Sequence, residues 1–254
     1  MEKLNILTDK YFSDYKKSIW DFKQKFDNFL LNSKALDFWY LLESSSVFSS
    51  RIEGNSLDLN SFMNLKMQKG KSSKDLQEIE NLIKAYDFAK KNKLTQKNFL
   101  QIHKILSKTL LIKSKRWVYR QEKVWVFWRE WLIYMAIEEE FVEKEMQKLF
   151  DDIQILLKNK LSLEEIFYYA SQIHLRFVHI HPFLDWNWRT ARLLEKWFLT
   201  EKLWEKLWKI RSEEYYFNNK KNYYQNINLW VNYYELNYDN SINFLTMLVK
   251  SLEL

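Results

Sequence analysis

His181-Pro182-Phe183-Leu184-Asp185-Trp186-Asn187-Trp188-Arg189-Thr190-Ala191-Arg192 sets a histidine, an acidic residue and two arginines around a short loop that leads into a helix. A helix start presents free backbone N–H groups and the positive end of a dipole, so such a loop favours an anion. Two arginines three apart share one helix face and can reach the same oxygens. A backbone that approaches an anion this closely calls for glycine. The sequence supplies tryptophan at 186 and again at 188.

The same anomaly runs through the composition. At ordinary usage a chain of 254 residues would carry about 18 glycines; this one has 2 glycines and 12 tryptophans. Abundant Lys, Asn, Ile, Tyr and Phe with little Ala suggests an AT-rich gene, which lowers Gly without raising Trp. UGA is a tryptophan codon in some genetic codes and a glycine codon in a few others. A gene of the second kind translated by the first would show Trp wherever glycine was written UGA. On position, Trp117, Trp125, Trp128, Trp131, Trp186, Trp188, Trp204 and Trp230 are expected to be such glycines. Trp197 and Trp208 lie among apolar helical positions, where an aromatic is unremarkable. Trp20 and Trp39 carry no signal in either direction. The alternative, that all twelve are genuine and the protein is a decayed relative, stays open.

Hydrophobic residues at 47% and charged residues at 29% exclude a disordered chain. The net charge of +7 is interleaved with 33 acidic residues, which reads as a mixed solvated surface that permits an anionic ligand. With no cysteine there are no disulfides or thiolate metal sites, and a cytoplasmic setting is expected. No apolar run approaches the roughly 18 residues of a membrane span, and Met1-Glu2-Lys3-Leu4-Asn5 does not resemble a secretory leader.

Most of the chain reads as helix. Leu76, Ile79, Ile83 and Tyr86 keep helical spacing after Ser72-Ser73, and Phe99, Ile102 and Leu106 do so after Thr95, an N-cap candidate. Phe141, Met146, Leu149, Ile153 and Leu156 continue the pattern. Ser162 and Glu165 form a capping box that opens a helix towards His179. Further helices are expected from Asn187, from Ser212-Glu213-Glu214, and from Asn240 to Leu252. Only Val118 to Tyr134 looks β-like, and glycine at 128 and 131 would make Trp128-Arg129-Glu130-Trp131 a hairpin turn. These readings give an all-α fold with one small hairpin. His103 lies on an apolar helix face and reads as structural, as do His174 and His179.

With glycine at 186 and 188, residues 181–192 resemble the signature of the Fic family of AMP-transferases at every defining position, and residues 173–180 resemble its lead-in helix. The resemblance implies an all-α Fic-fold helical bundle from about residue 41 to 254, after an N-terminal helical extension over 1–40. It implies His181 as the base for an incoming hydroxyl, a role that suits an imidazole, and Asp185 as a ligand of Mg2+. ATP would bind along the loop 186–189, with Trp186, Asn187 and Trp188 in the backbone nest. Arg189 would serve its α- and β-phosphates and Arg192 its γ-phosphate.

Ser49, Glu53 and Gly54 match the family's inhibitory motif, placing an inhibitory helix near 45–55 with Glu53 paired to Arg192. Residues 117–134 resemble the family's flap, whose edge at Val124, Trp125, Val126 and Phe127 would align an unknown target protein's Ser, Thr or Tyr hydroxyl. Relatives often dimerise, so a homodimer is one expectation. Nucleic-acid and membrane partners are not expected. Removal of AMP or transfer of another phosphate-containing group on the same fold stays open, as does an inactive interaction protein if Trp186 and Trp188 are genuine.

Overall fold

Ser162 starts the helix around which the others assemble. Its hydroxyl accepts from Glu165 N at 3.2 Å while Glu165 Oε2 accepts from Ser162 N at 2.7 Å, the reciprocal cap that the sequence spells out. The computed structural model describes residues 2–33, 37–68, 73–108, 116–128 and 131–254. In it the chain forms α1 (Phe12–Ser18), α2 (Phe22–Asn32), α3 (Phe38–Ile52), α4 (Leu59–Met67), α5 (Lys74–Lys91), α6 (Gln96–Leu106), α7 (Glu139–Lys158), α8 (Leu163–Ile180) and α9 (Asn187–Lys202). After these come α10 (Ser212–Asn218), α11 (Lys220–Ile227) and two short turns, α12 (Ile242–Leu245) and α13 (Met247–Lys250). Strands β1 (Trp125–Trp128) and β2 (Trp131–Met135) make one antiparallel hairpin, so the fold is all-α with a small two-stranded sheet.

Helix α8 is buried from Ile166 to Leu175 and again from Phe177 to Ile180, as befits a helix enclosed on every side. Helix α9 lies along it, and α7 closes the core with Val142, Met146, Leu149, Ile153 and Leu156. The aromatics of α1 and α2 seal the other flank. Tyr15 meets Tyr168 with ring centroids 5.1 Å apart, and Phe22 meets Phe167 at 5.0 Å. A segment before α1 is tied down by one carboxylate: Asp152 accepts from Asn5 N, Ile6 N and Leu7 N at 2.6–2.8 Å.

Several boundaries differ from the sequence reading. Val118-Tyr119-Arg120 is not a strand; it bends inward, and Arg120 is buried beneath the hairpin. The hairpin pairs Trp125 with Met135 and Phe127 with Leu132, with a bulge between Val126 and Phe127. The closing helix expected over 240–252 is broken into α12, α13 and a 3-10 turn. On α7 the inward position belongs to Val142, and Phe141 is exposed. Ser72, read as part of a helix start, and Arg129 and Glu130, read as the hairpin turn, lie outside the described residues; Ser73 alone caps α5.

The tryptophans divide sharply. Trp197 is buried and donates its indole N–H to Asn92 O at 3.1 Å, and Trp208 is buried against Tyr86. Trp20 is 84% exposed, and Trp39, Trp125, Trp204 and Trp230 are also exposed. Trp117 and Trp186 have φ of 54° and 73°, a region that bulky L-residues rarely occupy. Trp197→Gly should cost about 3–5 kcal/mol in urea unfolding, whereas Trp20→Gly should change stability by less than about 0.5 kcal/mol. Comparable losses at the two positions would show that this division carries no weight.

Candidate functional site

Helix α8 ends where His181 takes left-handed dihedrals, φ 51° and ψ 57°, and Pro182 prevents its continuation. Phe183 then turns back into the core, stacked in parallel on His103 with centroids 3.6 Å apart. Asn187 closes the loop: Phe183 N donates to Asn187 Oδ1 at 2.9 Å, and Asn187 Nδ2 donates to Phe183 O at 2.7 Å. Its amide is therefore occupied in shaping the loop rather than turned to a ligand. Asp185 is exposed and accepts from Trp186 N at 2.6 Å. His181, Asp185, Trp186, Asn187, Trp188, Arg189 and Glu53 surround a cavity of about 210 Å³.

His181 is buried, with Nδ1 3.3 Å from Val178 O. Burial pushes its imidazole down to about 4, so the ring is neutral at physiological pH and able to take a proton. Burial also brings His103 to about 4 and His179 to about 3. His103 accepts from Trp117 N at 3.2 Å, and His179 bridges Tyr238 OH and Ile227 O, so both hold structure together.

Arg192 is completely buried on α9 and bridges to α3. Its Nη2 donates to Glu53 Oε1 at 2.8 Å and to Ser49 O at 2.9 Å, and its Nε donates to Ser49 Oγ at 3.0 Å. Although burial pulls the other way, Tyr223 and Glu53 raise the pKa of this guanidinium. Glu53 stands at the C-cap of α3, and Gly54 follows with φ 94°, the left-handed conformation that ends the helix and favours glycine. The Glu53–Arg192 pair that the resemblance implied is formed across 139 residues of chain.

Arg189 lies over the Trp186 indole, 4.1 Å from its centroid, and 3.6 Å from Glu78 Oε2. Both the Trp186 indole N–H and Arg189 Nε are buried without a hydrogen-bond partner, an arrangement that costs free energy at each atom. Trp188 packs edge-on against Tyr224 at 5.1 Å. It lines the small cavity on one side and, on the other, a cavity of about 1000 Å³ that reaches Val126, Tyr134, Lys220 and Gln225.

On the hairpin, the edge residues Trp125 and Val126 are exposed and half-buried; Val124 accepts from Ala136 N at 3.2 Å, and Phe127 takes its place in the strand. The sequence reading overlooked Arg120. Its Nε donates to His181 O at 2.8 Å, its Nη1 to Glu122 O at 2.9 Å, and its Nη2 to Ile137 O, while Arg120 N donates to Pro182 O at 2.8 Å. One side chain thereby ties the hairpin's base to the loop. Its signal was an arginine within an otherwise strand-like run.

As to metals, no group of three or more His, Cys, Asp or Glu converges among the described residues. A lone exposed carboxylate such as Asp185 fits Mg2+ that arrives with phosphate, because that ion keeps waters and phosphate oxygens as its main ligands. No described helix is long and apolar enough to cross a membrane.

Two measurements check this geometry. Removing the Glu53 carboxylate, as in Glu53→Gly, leaves a buried cation short of its partner and should cost about 1.5–3 kcal/mol in urea unfolding. The buried histidines set the acid response. The folded pKa values of His103, His179 and His181 lie below the unfolded 6.5, so the unfolded chain binds more protons between pH 6.5 and about 4. Stability should be held above pH 6.5 and fall steadily as pH drops towards 4. A flat denaturation midpoint from pH 7 to 4.5 would contradict the burial of these rings.

Comparison with known proteins places this geometry. Residues 93–199 match the Fic/DOC family model. A Fic family protein from Desulfovibrio desulfuricans superposes with a TM-score of 0.76 at 19% identity, covering 98% of this chain and 74% of that one. A Fic-domain-containing signalling protein from Bacteroides thetaiotaomicron gives 0.71 at 20% identity, over 92% and 94%. A Fic-1 fragment from C. elegans gives 0.65 at 16% identity, over 95% and 69%. No curated protein sequence matches the chain. Residues 93–199 are therefore similar to the Fic/DOC family, within a fold that the chain shares with Fic proteins over nearly its whole length.

Proposed function

We propose that the protein transfers AMP from ATP to a hydroxyl side chain of a target protein and of itself, and that Glu53 restrains the reaction. The observation that carries this reading is the Glu53–Arg192 pair at the rim of a loop that presents His181, Asp185 and a helix start to one cavity. Neutral His181 takes the proton of the incoming hydroxyl, whose oxygen bonds to the α-phosphorus. The bond from that phosphorus to the bridging oxygen breaks, and pyrophosphate leaves with the electron pair. Arg189 and Arg192 neutralise the phosphate oxygens, and the start of α9 adds its N–H groups and dipole. Asp185 would hold Mg2+ together with the phosphates, and the ion would supply further charge neutralisation. While Glu53 occupies Arg192, the γ-phosphate lacks its guanidinium and the α-phosphate sits out of line, and a displacement of about 1 Å costs roughly a hundredfold in rate.

A second reading is favoured by the indoles themselves. As written, Trp186 covers the face of Arg189, and Trp188 stands between the two cavities that ATP would have to span. If both are genuine, the chain is an inactive interaction protein on the same fold. The left-handed backbone and stranded N–H of Trp186 are relieved together by glycine, which supports the misread-codon reading.

With radiolabelled ATP, the protein as written should label itself and lysate proteins at background. Trp186→Gly/Trp188→Gly should raise labelling at least tenfold, and adding Glu53→Gly should raise it further. UGA at codons 186 and 188 would agree with this; UGG there, with a repaired protein that neither binds ATP nor labels, would sink the proposal.

A further inference from the structure

Behind Arg192, on the side away from Glu53, a chain of buried hydrogen bonds runs through the core. Arg192 Nη1 donates to Tyr223 OH at 3.2 Å, Tyr223 OH lies 2.9 Å from His174 Nε2, and His174 Nδ1 lies 2.8 Å from Glu195 Oε2. Tyr216 OH then donates to Glu195 Oε1 at 2.9 Å. Arg192, Tyr223, His174, Glu195 and Tyr216 are all essentially inaccessible to solvent.

The first link has one possible direction. A guanidinium has no acceptor, so the Tyr223 oxygen must accept from Arg192. The Tyr223 hydroxyl and His174 Nε2 share the next hydrogen bond. His174 Nδ1 in turn meets the Glu195 carboxylate. Arg192 thus sits between two anions, Glu53 in direct contact and Glu195 reached through two side chains.

The two sides of the guanidinium differ in what can leave. Glu53 ends α3, beside the 1000 Å³ cavity, with its side chain 17% exposed. Tyr223 and His174 are locked in the core, Tyr223 against Tyr216 at 4.8 Å and His174 against Phe244 at 5.1 Å. When Glu53 is displaced or removed, Nη2 loses a partner while Nη1 keeps one. With Glu53 gone, Ser49 still accepts from Nη2 and Nε, and the buried chain holds Nη1, which limits the rotamer freedom that a long side chain would otherwise gain.

We infer that Tyr223 and His174 are positioning residues that keep the Arg192 guanidinium aimed at the site once Glu53 has let go. The purpose of that aim rests on the proposed use of Arg192 for the γ-phosphate; the ordering itself does not. In the resting protein Ser49, Glu53 and Tyr223 hold the same group, so loss of Glu53 or Tyr223 alone is covered by the contacts that remain. The two deletions are expected to be non-additive.

The direct readout is 15N relaxation of the Arg192 Nε–Hε group in the parent, Glu53→Gly, Tyr223→Phe and the double variant. Tyr223→Phe removes one oxygen and keeps the ring. Arg192 should stay ordered in the parent and both single variants and gain nanosecond motion in the double variant, where Ser49 is the hydrogen-bond partner left to it. An equally ordered Arg192 in the double variant overturns the inference. A generally loosened core would move buried methyl groups along with Arg192, and that result overturns it too. If Tyr223→Phe does not fold, His174→Phe breaks the next link and should give the same pattern, more weakly, while His174→Gln, with both an acceptor and a donor, should restore order. In the glycine-restored Glu53→Gly background, Tyr223→Phe should raise the KM for ATP about tenfold, as expected for loss of a hydrogen bond to a charged group. Should Arg192 loosen as described while no variant binds ATP, positioning stands and the nucleotide reading fails.

Discussion

A fully buried guanidinium between α3 and α9 is the constraint on which the rest of the site depends. Arg192 cannot be solvated where it is, so the fold must surround it with acceptors, and it does so from three elements: α3 supplies Ser49 and Glu53, α11 supplies Tyr223, and α8 stands behind through His174. An uncompensated charge in such a place costs several kcal/mol, which fixes the seat of α3 and brings its carboxyl end to the loop. One turn away the same two helices meet again where Lys196 donates to Ser45 at 3.1 Å, and the same ammonium donates to Glu213 of α10 at 2.6 Å. The α3–α9 contact is therefore polar as well as apolar, and it ends in an ion pair beside open space.

Much of this was legible because the signals were local and periodic. The capping box of α8, the Ser73 and Thr95 caps and the spacing of Leu149, Ile153 and Leu156 each describe one element without reference to another. The Glu53–Arg192 pair joins distant segments, and spacing within this chain does not reveal it; the resemblance of two separate motifs does. What stayed hidden is contact that carries no local pattern. Nothing near Asp152 announces that it captures the N–H groups of residues 5–7, and nothing near Arg120 announces that its donors end on His181 and Ile137. Val118-Tyr119-Arg120 looked like strand because β-branched and aromatic residues fit a pleated surface, but the need to bury Arg120 against carbonyls bends it.

The tryptophans obey no single physical rule, and that is informative. A residue selected for its indole is buried, hydrogen-bonded and held in ordinary dihedrals, as Trp197 is. Other tryptophans show other marks. Trp117 and Trp186 occupy left-handed backbone, and Trp125, Trp204 and Trp230 leave large aromatic surfaces in water. Trp186 is the instructive case, being buried like a core residue yet strained and without a partner for its N–H. Burial alone would have classed it with Trp197; backbone conformation and hydrogen bonding separate the two.

The same reasoning explains why the loop keeps its shape despite them. Its closure depends on Asn187 and Phe183 exchanging backbone and amide hydrogen bonds, on Phe183 stacked over His103, and on Arg120 gripping the carbonyl of His181. None of these contacts involves the Trp186 or Trp188 side chain. The indoles fill space above a scaffold already determined beneath them: one rests on Arg189, and the other stands between the small cavity and the large one. Their removal would open volume without withdrawing a support, so the fold tolerates either residue at these positions, while any chemistry that needs the open volume tolerates only glycine.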